Sequence, residues 1–198
     1  GFEQMVSSLT TGRADMILSG MSDLPSRHET LDFVDYLNSG AQFYTTADRA
    51  SEFKEPEDLC GKTVGASRRT SFPNEMAKWS KENCEDKGKP GLKIVGTEGS
   101  ADARTQLRQK RLDAAVQGSE TLPYLLNLEP NTYAIVGKPF TSVYQGMGFA
   151  KKDTELRDAV AAALKELMAD GTYDEILKKW DLLDAKLDKV MINGGANK

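Results

Sequence analysis

The chain has 198 residues, of which 39% are hydrophobic and 28% are charged, a composition typical of a folded globular protein and unlike that of a disordered one. The formal net charge is −4 with lysine and arginine dispersed along the chain, so no basic stripe indicates nucleic-acid binding. No apolar run approaches the ~20 residues of a membrane-spanning helix, and no signal peptide is recognisable, so an exported protein would be present here in a mature or trimmed form.

The first predicted elements are a helix and a short strand. Apolar residues at helical spacing predict the helix, with Gly12 suited to its end: Phe2, Met5, Val6 and Leu9. Residues 15–18 predict a short buried strand, and residues 19–22 predict a turn that leaves it. Pro25 makes the following segment rigid, and Arg27 comes shortly after it.

The motif Ser19-Gly20-Met21-Ser22, together with Arg27, has the chemistry of a carboxylate site. In open α/β sheets, small ligands bind outside the carboxyl ends of the strands. Backbone N–H groups, two hydroxyls and a guanidinium that can bind both carboxylate oxygens are expected at that place. A small organic acid or an amino acid is therefore the first ligand class to consider. The alternative is that Arg27 is a solvated arginine in a turn.

The next segment is predicted to be extended, and strands then alternate with helices. Residues 33–47 are apolar and aromatic with few charges, which indicates a segment that could cross between lobes. Strands are predicted near 62–66, 92–95, 112–116 and 132–136, and helices near 73–83, 101–110 and 120–127. This alternation predicts a parallel sheet covered by helices, with Ser100 as the N-cap of the second helix.

Cys60 and Cys84 are predicted to form a disulfide on geometric grounds. The strand at 62–66 would be about 16 Å long at ~3.3 Å per residue, and the helix at 73–83 would be similar at ~1.5 Å per residue. An antiparallel helix of matching length returns its end to the start of the strand, where the two cysteines lie. A bridge there would contribute ~3 kcal/mol and would indicate an oxidising compartment. The alternative is two unrelated buried thiols.

The last part of the chain predicts a strand at 146–150 and two helices. Apolar residues expected to face the core in the first helix are Leu156, Val160, Leu164 and Leu167. A capping box, Thr172-x-x-Glu175, is predicted to open the last helix. The residues that this helix is expected to bury are Tyr173, Ile176, Leu177 and Trp180. Residues 193–198 are predicted to be frayed.

The sequence contains no recognisable catalytic or metal-binding set. His28 is the only histidine and is predicted to be a surface residue. Without a second histidine or a cysteine cluster, no transition-metal site is predicted. A Ser/His/Asp set, a GxGxxG motif and a P-loop are also absent, so neither a cofactor nor a catalytic residue is predicted.

Several motifs resemble the extracytoplasmic solute-binding proteins of polar amino acid ABC transporters, solute-binding protein family 3. The first is Ser-Gly-Met-Ser-x-x-Pro-x-Arg at 19–27, followed by Leu-Asp-Phe-Val-Asp-Tyr at 31–36. Further segments are similar to the family's entry into its second lobe, a strand of that lobe, its return strand and its closing helices: residues 53–64, 111–117, 146–153 and 156–180. These motifs keep the family's order over almost the whole chain.

The resemblance implies an α/β fold with two lobes, a periplasmic binding protein of type II (Venus-flytrap). Lobe one would comprise residues 1–42 and 146–198, and lobe two residues 43–145. Family members carry a βαβ unit of ~30 residues or more ahead of the position where this sequence starts. Lobe one is therefore expected to be incomplete. An open sheet without its central strand exposes edges and apolar surface, so the chain is expected to be a truncated gene product or a proteolysed fragment, or to self-associate or exchange strands with another chain.

The resemblance also implies the ligand-binding residues. Ser19, Gly20, Met21, Ser22 and Arg27 occupy the positions that hold the ligand's α-carboxylate in the family. Lobe two would add Thr70 and Ser71 at the start of a helix, whose N–H groups suit a second carboxylate contact. Most members have a glycine where this chain has Arg69. This arginine either adds positive charge for an acidic ligand or points to solvent.

The strand at 111–117 is followed by a departure from the family. Members usually carry an aspartate there that pairs with the ligand's ammonium, whereas this chain has Gly118, then Ser119 and Glu120. Either Glu120 reaches the ammonium from further along the chain, or the ligand lacks a standard α-amino group. Gln117 is a further candidate for this contact.

The expected function is that of a periplasmic solute-binding component of an ABC importer. It would bind a polar or acidic amino acid, or a similar small carboxylate, between two lobes that close, and an ABC permease would recognise the closed form. It is expected not to be an enzyme. The alternatives are a ligand-sensing domain of a receptor and an enzyme similar to cyclohexadienyl dehydratase, in which Glu120 would be the acid or base.

Overall fold

A computed structural model of the protein describes residues 3–197 and divides into two units. Unit one joins the chain up to Ser39 to the chain from Ser142 onward, and unit two is Gly40–Thr141. The lobe boundaries predicted from the sequence, 42/43 and 145/146, lie a few residues further along the chain than these boundaries between the two units. Each unit combines a sheet with helices, which confirms the α/β class. Among the described helices, none is long and apolar enough to cross a membrane.

Numbered along residues 3–197, the strands are β1 (Ile17–Ser22), β2 (Leu31–Ser39), β3 (Ala41–Thr46), β4 (Thr63–Ser67), β5 (Lys93–Thr97), β6 (Ala114–Gly118), β7 (Tyr133–Val136), β8 (Val143–Ala150) and β9 (Met191–Ile192). The helices are α1 (Glu3–Thr10), α2 (Phe72–Asn83), α3 (Ser100–Arg108), α4 (Leu122–Leu128), α5 (Thr154–Ala169) and α6 (Thr172–Lys179). All predicted helices and strands are present with shifted ends. Phe2, which was assigned to the first helix, lies outside the described residues.

The sheet of unit one is antiparallel, with the strand order β1, β8, β2, β9 in the described part of the chain. Its central strands β2 and β8 are buried along most of their length. One face packs on α5 and α6 through a cluster that includes Val34, Phe149 and Leu164. A second cluster includes Leu9 of α1 and Phe33 of β2.

The predicted apolar faces of α5 and α6 are partly wrong. Leu156, Leu167, Ile176 and Trp180 are exposed. The face of α5 that packs on the sheet is rotated toward Met168, so it runs through Val160, Ala161, Leu164 and Met168. In α6, Tyr173 and Leu177 are buried as predicted. Periodicity alone could not distinguish these two neighbouring stripes.

Two predicted helix caps are also wrong. Ser100 and Thr172 are the first helical residues, and the capping positions before them are Gly99 and Gly171. Aspartates provide the hydrogen bonds instead, since Asp102 Oδ2 accepts from the Glu98 N–H at 3.0 Å and Asp170 Oδ1 accepts from the Thr172 N–H at 2.8 Å. A glycine at the capping position has no side chain to compete with these carboxylates.

The sheet of unit two is mixed, which corrects the predicted parallel sheet. Its order within the described chain is β5, β4, β6, β3, β7. The pairs β4–β5 and β4–β6 are parallel, but β3 is antiparallel to both β6 and β7. The strand β3 follows β2 after a single residue, Gly40, so no crossover helix precedes it.

The core of unit two includes an aromatic cluster and the predicted disulfide. The ring of Phe43 stacks on Phe140 at 4.4 Å and meets Trp79 edge-on at 5.1 Å between centroids. Cys60 and Cys84 are joined, with their Cα atoms 5.6 Å apart, which confirms the predicted bridge between the start of β4 and the end of α2.

Candidate functional site

The motif Ser19-Gly20-Met21-Ser22 forms the last four of the six residues of β1, so the prediction of a turn there is wrong. Pairing with β8 keeps the segment in the sheet, but the register shifts, with Ile17 opposite Gly148 and Met21 opposite Gly146. Gly20 permits this irregularity because its φ of +58° lies in the left-handed region. Its N–H donates to the Tyr36 hydroxyl at 3.3 Å. Met21 is buried, whereas Ser19 is exposed.

Arg27 ends a single helical turn, Pro25–Arg27, that follows β1. Its Nη1 donates to the carbonyl oxygen of Ser22 at 2.6 Å, and the side chain is partly buried. This bond holds the guanidinium against the end of β1. The structure therefore brings Ser22 and Arg27 together, as a carboxylate site in unit one requires.

Asp23 supports this segment and was not singled out by the sequence analysis. It is only 1% exposed and pairs with the His28 ring at Nε2; the His28 side chain, predicted to lie at the surface, is 18% exposed and therefore partly buried. Its other oxygen, Oδ2, accepts from the Gly195 N–H at 2.8 Å, and its own N–H donates to the Tyr144 carbonyl at 2.8 Å. The available signal was a carboxylate placed directly after a buried strand.

Two further buried aspartates on β2 hold the same C-terminal segment, which corrects the prediction that residues from 193 onward are frayed. Asp35 Oδ2 accepts from the Gly194 N–H at 2.9 Å, and Asp32 accepts from the Asn193 amide at 2.9 Å. Asp32 also binds Lys151 and Arg157, each at 2.7 Å. Burial alone would raise the pKa of Asp32, but these hydrogen bonds outweigh it and leave the pKa below its usual value. Residue 198 lies outside the described chain.

In unit two, the candidate residues lie at one edge of the sheet. The strands β4 and β6 are parallel neighbours, so their carboxyl ends, Ser67 and Gly118, lie on the same side. The Thr70 hydroxyl donates to the Ser67 carbonyl at 2.7 Å and accepts from the Phe72 N–H at 3.3 Å. Ser71 precedes α2, and its carbonyl accepts from the N–H groups of Asn74 and Glu75 in that helix. The loop is therefore ordered by its own hydrogen bonds.

The two arginines of this loop are exposed. Arg68 forms an ion pair with Glu98 at 2.6 Å, and both side chains are more than half exposed. Both alternatives for Arg69, a ligand contact and a solvated side chain, agree with its exposure.

The turn after β6 brings Glu120 back over Gly118. A Cβ atom placed on Gly118 would lie 2.7 Å from the carboxyl carbon of Glu120. Ser119 anchors the turn, since its N–H donates to the Gly40 carbonyl at 2.8 Å, and the Thr121 hydroxyl donates to the Gly118 carbonyl at 2.8 Å. The Glu120 carboxylate thus occupies the space that a side chain at position 118 would take. Gln117 lies opposite Gln42 of β3 and is partly buried.

Among residues 3–197, no group of three or more His, Cys, Asp or Glu side chains is placed to hold a metal ion. The carboxylates near the candidate residues instead bind backbone N–H groups, amides and cationic side chains. Asp23, Asp32 and Asp35 thus form a structural network that holds the C-terminal segment to β2 and to the end of β1.

Comparisons with known proteins find relatives over most of this chain. The arginine-binding protein ArgT of Corynebacterium glutamicum is 29% identical over 97% of this chain, which spans 62% of the length of that relative. The histidine-binding periplasmic protein of Escherichia coli K12 is 28% identical over 90% of this chain and 68% of its own length. A crystal structure of a mutant of ArgBP from T. maritima superposes with a TM-score of 0.75 at 29% identity, covering 91% of this chain and 74% of that one. None of these matches supports the expected self-association or strand exchange.

The family model described as bacterial extracellular solute-binding proteins, family 3, matches residues 1–183. This match extends over both units and includes every candidate ligand-binding residue. The chain therefore belongs to family 3 of the bacterial extracellular solute-binding proteins.

Proposed function

We propose that this chain is the periplasmic solute-binding component of an ABC importer, that it binds a polar amino acid or a similar small carboxylate, and that an ABC permease is its partner. Family membership and the relatives named as arginine- and histidine-binding proteins support this ligand class. The relatives are binding proteins, so we propose saturable binding without turnover. The observation that carries the proposal is the guanidinium of Arg27, held 2.6 Å from the carbonyl of Ser22 at the end of β1.

The carboxylate of the solute binds in unit one in this proposal. A guanidinium can donate two parallel hydrogen bonds to a carboxylate, and charge-assisted bonds are roughly twice as strong as neutral ones. The hydroxyls of Ser19 and Ser22 supply further donors beside it, and the irregular backbone at Gly20 and Met21 sets the positions of these hydroxyls. The contact between Arg27 and Ser22 orients the guanidinium before the ligand arrives, which lowers the entropy lost on binding.

The rest of the solute binds residues of unit two. Thr70, Ser71 and Arg69 follow β4, and Gln117, Gly118 and Glu120 follow β6, at the same edge of the sheet. We propose that Glu120 pairs with the ammonium of the ligand in place of the aspartate that the family carries at position 118. The position of its carboxylate over Gly118 supports this role.

The proposal is tested by titration calorimetry with L-arginine, L-histidine, L-glutamine and L-glutamate. The wild type should bind at least one of them saturably. Arg27→Ala should weaken that binding by about 2–4 kcal/mol, because the desolvated carboxylate loses a charge-assisted partner. Arg13→Ala is the matched control, since Arg13 is an exposed arginine of the same unit that contacts Thr11 at 3.2 Å. Its affinity should match that of the wild type.

Two results would contradict the proposal. An Arg27→Ala protein with wild-type affinity would refute the assignment of the carboxylate site. Conversion of a bound acid into a product would favour an enzyme.

A further inference from the structure

A buried glutamine amide lies beside the backbone of Gly20. Gln145 is on β8, opposite Ser22 of β1, and is 4% exposed. A Cβ atom placed on Gly20 would lie 3.2 Å from Gln145 Oε1, so this oxygen faces the α-carbon of the glycine. Within residues 3–197, Gln145 Oε1 is buried and has no hydrogen-bond partner.

Such an oxygen calls for an explanation, because buried polar atoms in native proteins are nearly always hydrogen-bonded. Gln42 in unit two shows the ordinary case. It is 8% exposed, and its Nε2 donates to the Gly137 carbonyl at 2.8 Å. An acceptor without a partner destabilises the protein unless another molecule supplies the donor.

We infer that Gln145 Oε1 accepts a hydrogen bond from the ammonium group of the bound amino acid. This inference rests on the proposed function. The amide oxygen is an acceptor, so its partner must carry an N–H or O–H group. It lies beside Gly20 and Ser22, where the solute's carboxylate is proposed to bind, and the α-ammonium of an amino acid is separated from its carboxylate by one carbon atom.

The ammonium carries three N–H donors, so a hydrogen bond to Gln145 leaves two donors for other groups. Gly20 makes this possible in unit one, since a side chain at that position would press on the amide. Gln145 is thus a specificity residue that distinguishes amino acids from carboxylates that lack the amino group.

The first test measures stability without ligand. Gln145→Met keeps the approximate length of the side chain and removes the buried acceptor. Its urea midpoint should equal or exceed that of the wild type. Gln42→Met is the matched control and should lower the midpoint, because it leaves the Gly137 carbonyl without its donor. Destabilisation or misfolding of Gln145→Met would overturn the inference, since it would show a structural role for the amide.

The second test measures binding with two matched pairs: L-arginine with 5-guanidinopentanoate, and L-glutamine with glutaramate. Each second compound lacks the α-amino group. Gln145→Met should weaken binding of the amino acid by about 10-fold to 100-fold, as expected for a hydrogen bond to a charged group. Its affinity for the deaminated compound should equal that of the wild type. Gln145→Glu retains an acceptor and should preserve the preference for the amino acid.

The outcomes separate the two proposals. If the wild type binds neither amino acid, the proposed function fails for these ligands and this inference fails with it. If the wild type binds and Gln145→Met binds with unchanged affinity, or weakens both members of a pair equally, only the inference is overturned.

Discussion

Removal of the Asp23 carboxylate should release the C-terminal segment from the end of β1. Asp23 is almost fully buried and accepts from two groups, the Gly195 N–H at 2.8 Å and the ring nitrogen of His28. Asp23→Ala removes both acceptors at once. The Gly195 N–H cannot be hydrated without opening the segment, because its contact with Asp23 is buried.

The size of the effect follows from these contacts. Breaking a buried, hydrogen-bonded charge typically costs about 3–5 kcal/mol, and each donor left unpaired accounts for about 1–3 kcal/mol of that. Asp23→Ala should therefore lower the free energy of unfolding by about 3–5 kcal/mol. Asp23→Asn keeps one oxygen for the Gly195 N–H, so its effect should be smaller.

Urea denaturation followed by circular dichroism measures the loss of stability, and hydrogen exchange of single amides locates it. In Asp23→Ala, exchange of the Gly195 amide should accelerate more than exchange of the Gly194 amide, whose acceptor is Asp35. Asp58→Ala is the matched control. Asp58 also accepts two hydrogen bonds, from the N–H groups of Lys54 and Glu55, but it is exposed, so water can replace the carboxylate.

The argument fails if Asp23→Ala is no more harmful than Asp58→Ala. It fails equally if the two Asp23 variants have the same stability and the exchange of Gly195 is unchanged. Either result would show that the C-terminal segment is held without the carboxylate.

Three further predictions concern acid stability, the disulfide and position 118. The pKa of Asp32 is lower than usual, so its bonds stabilise the protein above the unfolded pKa of about 4 and are lost as the pH falls through the folded pKa. The urea midpoint of the wild type should therefore fall more steeply below about pH 4 than that of Asp32→Asn, and parallel curves would contradict this. Cys60 and Cys84 lie 24 positions apart, and reduction of their disulfide should lower the free energy of unfolding by ~3 kcal/mol, measured by urea denaturation with and without reductant. The stability of Cys60→Ala should not change with the reductant. Glu120→Gln should weaken amino acid binding in calorimetry, and Gly118→Asp in the same chain should restore it; failure of this rescue would argue against a carboxylate role at this turn.

The elements with strong local signals were predicted well from the sequence. The strand and helix flanking the disulfide could be placed because their lengths match and a cysteine lies at each outer end. The stretch around Gly20 was assigned to a turn because serine and glycine are common in turns. Pairing with β8, which is more than a hundred positions away, keeps it in the sheet. Local propensity could not reveal that partner.

The residues that the sequence did not reveal depend on distant partners. Asp23 binds Gly195, 172 positions away, and Asp32 binds Arg157, 125 positions away. Gln145 stands out only because its Oε1 lies beside Gly20 and has no hydrogen-bond partner among residues 3–197. Periodicity, capping and turn rules use near neighbours along the chain. They carry no information about which buried polar groups will face each other.

Gly118 and Glu120 show how a site can differ from its family pattern in sequence and still place the same group in space. Counted along the chain, the expected carboxylate is absent from position 118. In the folded turn, the longer side chain of Glu120 places its carboxyl carbon 2.7 Å from the point where a Cβ atom of residue 118 would lie. An aspartate at 118 would place its own carboxyl carbon one bond beyond that Cβ. The two carboxylates would therefore occupy overlapping space, and for this reason the substitution at 118 does not by itself argue against a ligand with an α-amino group.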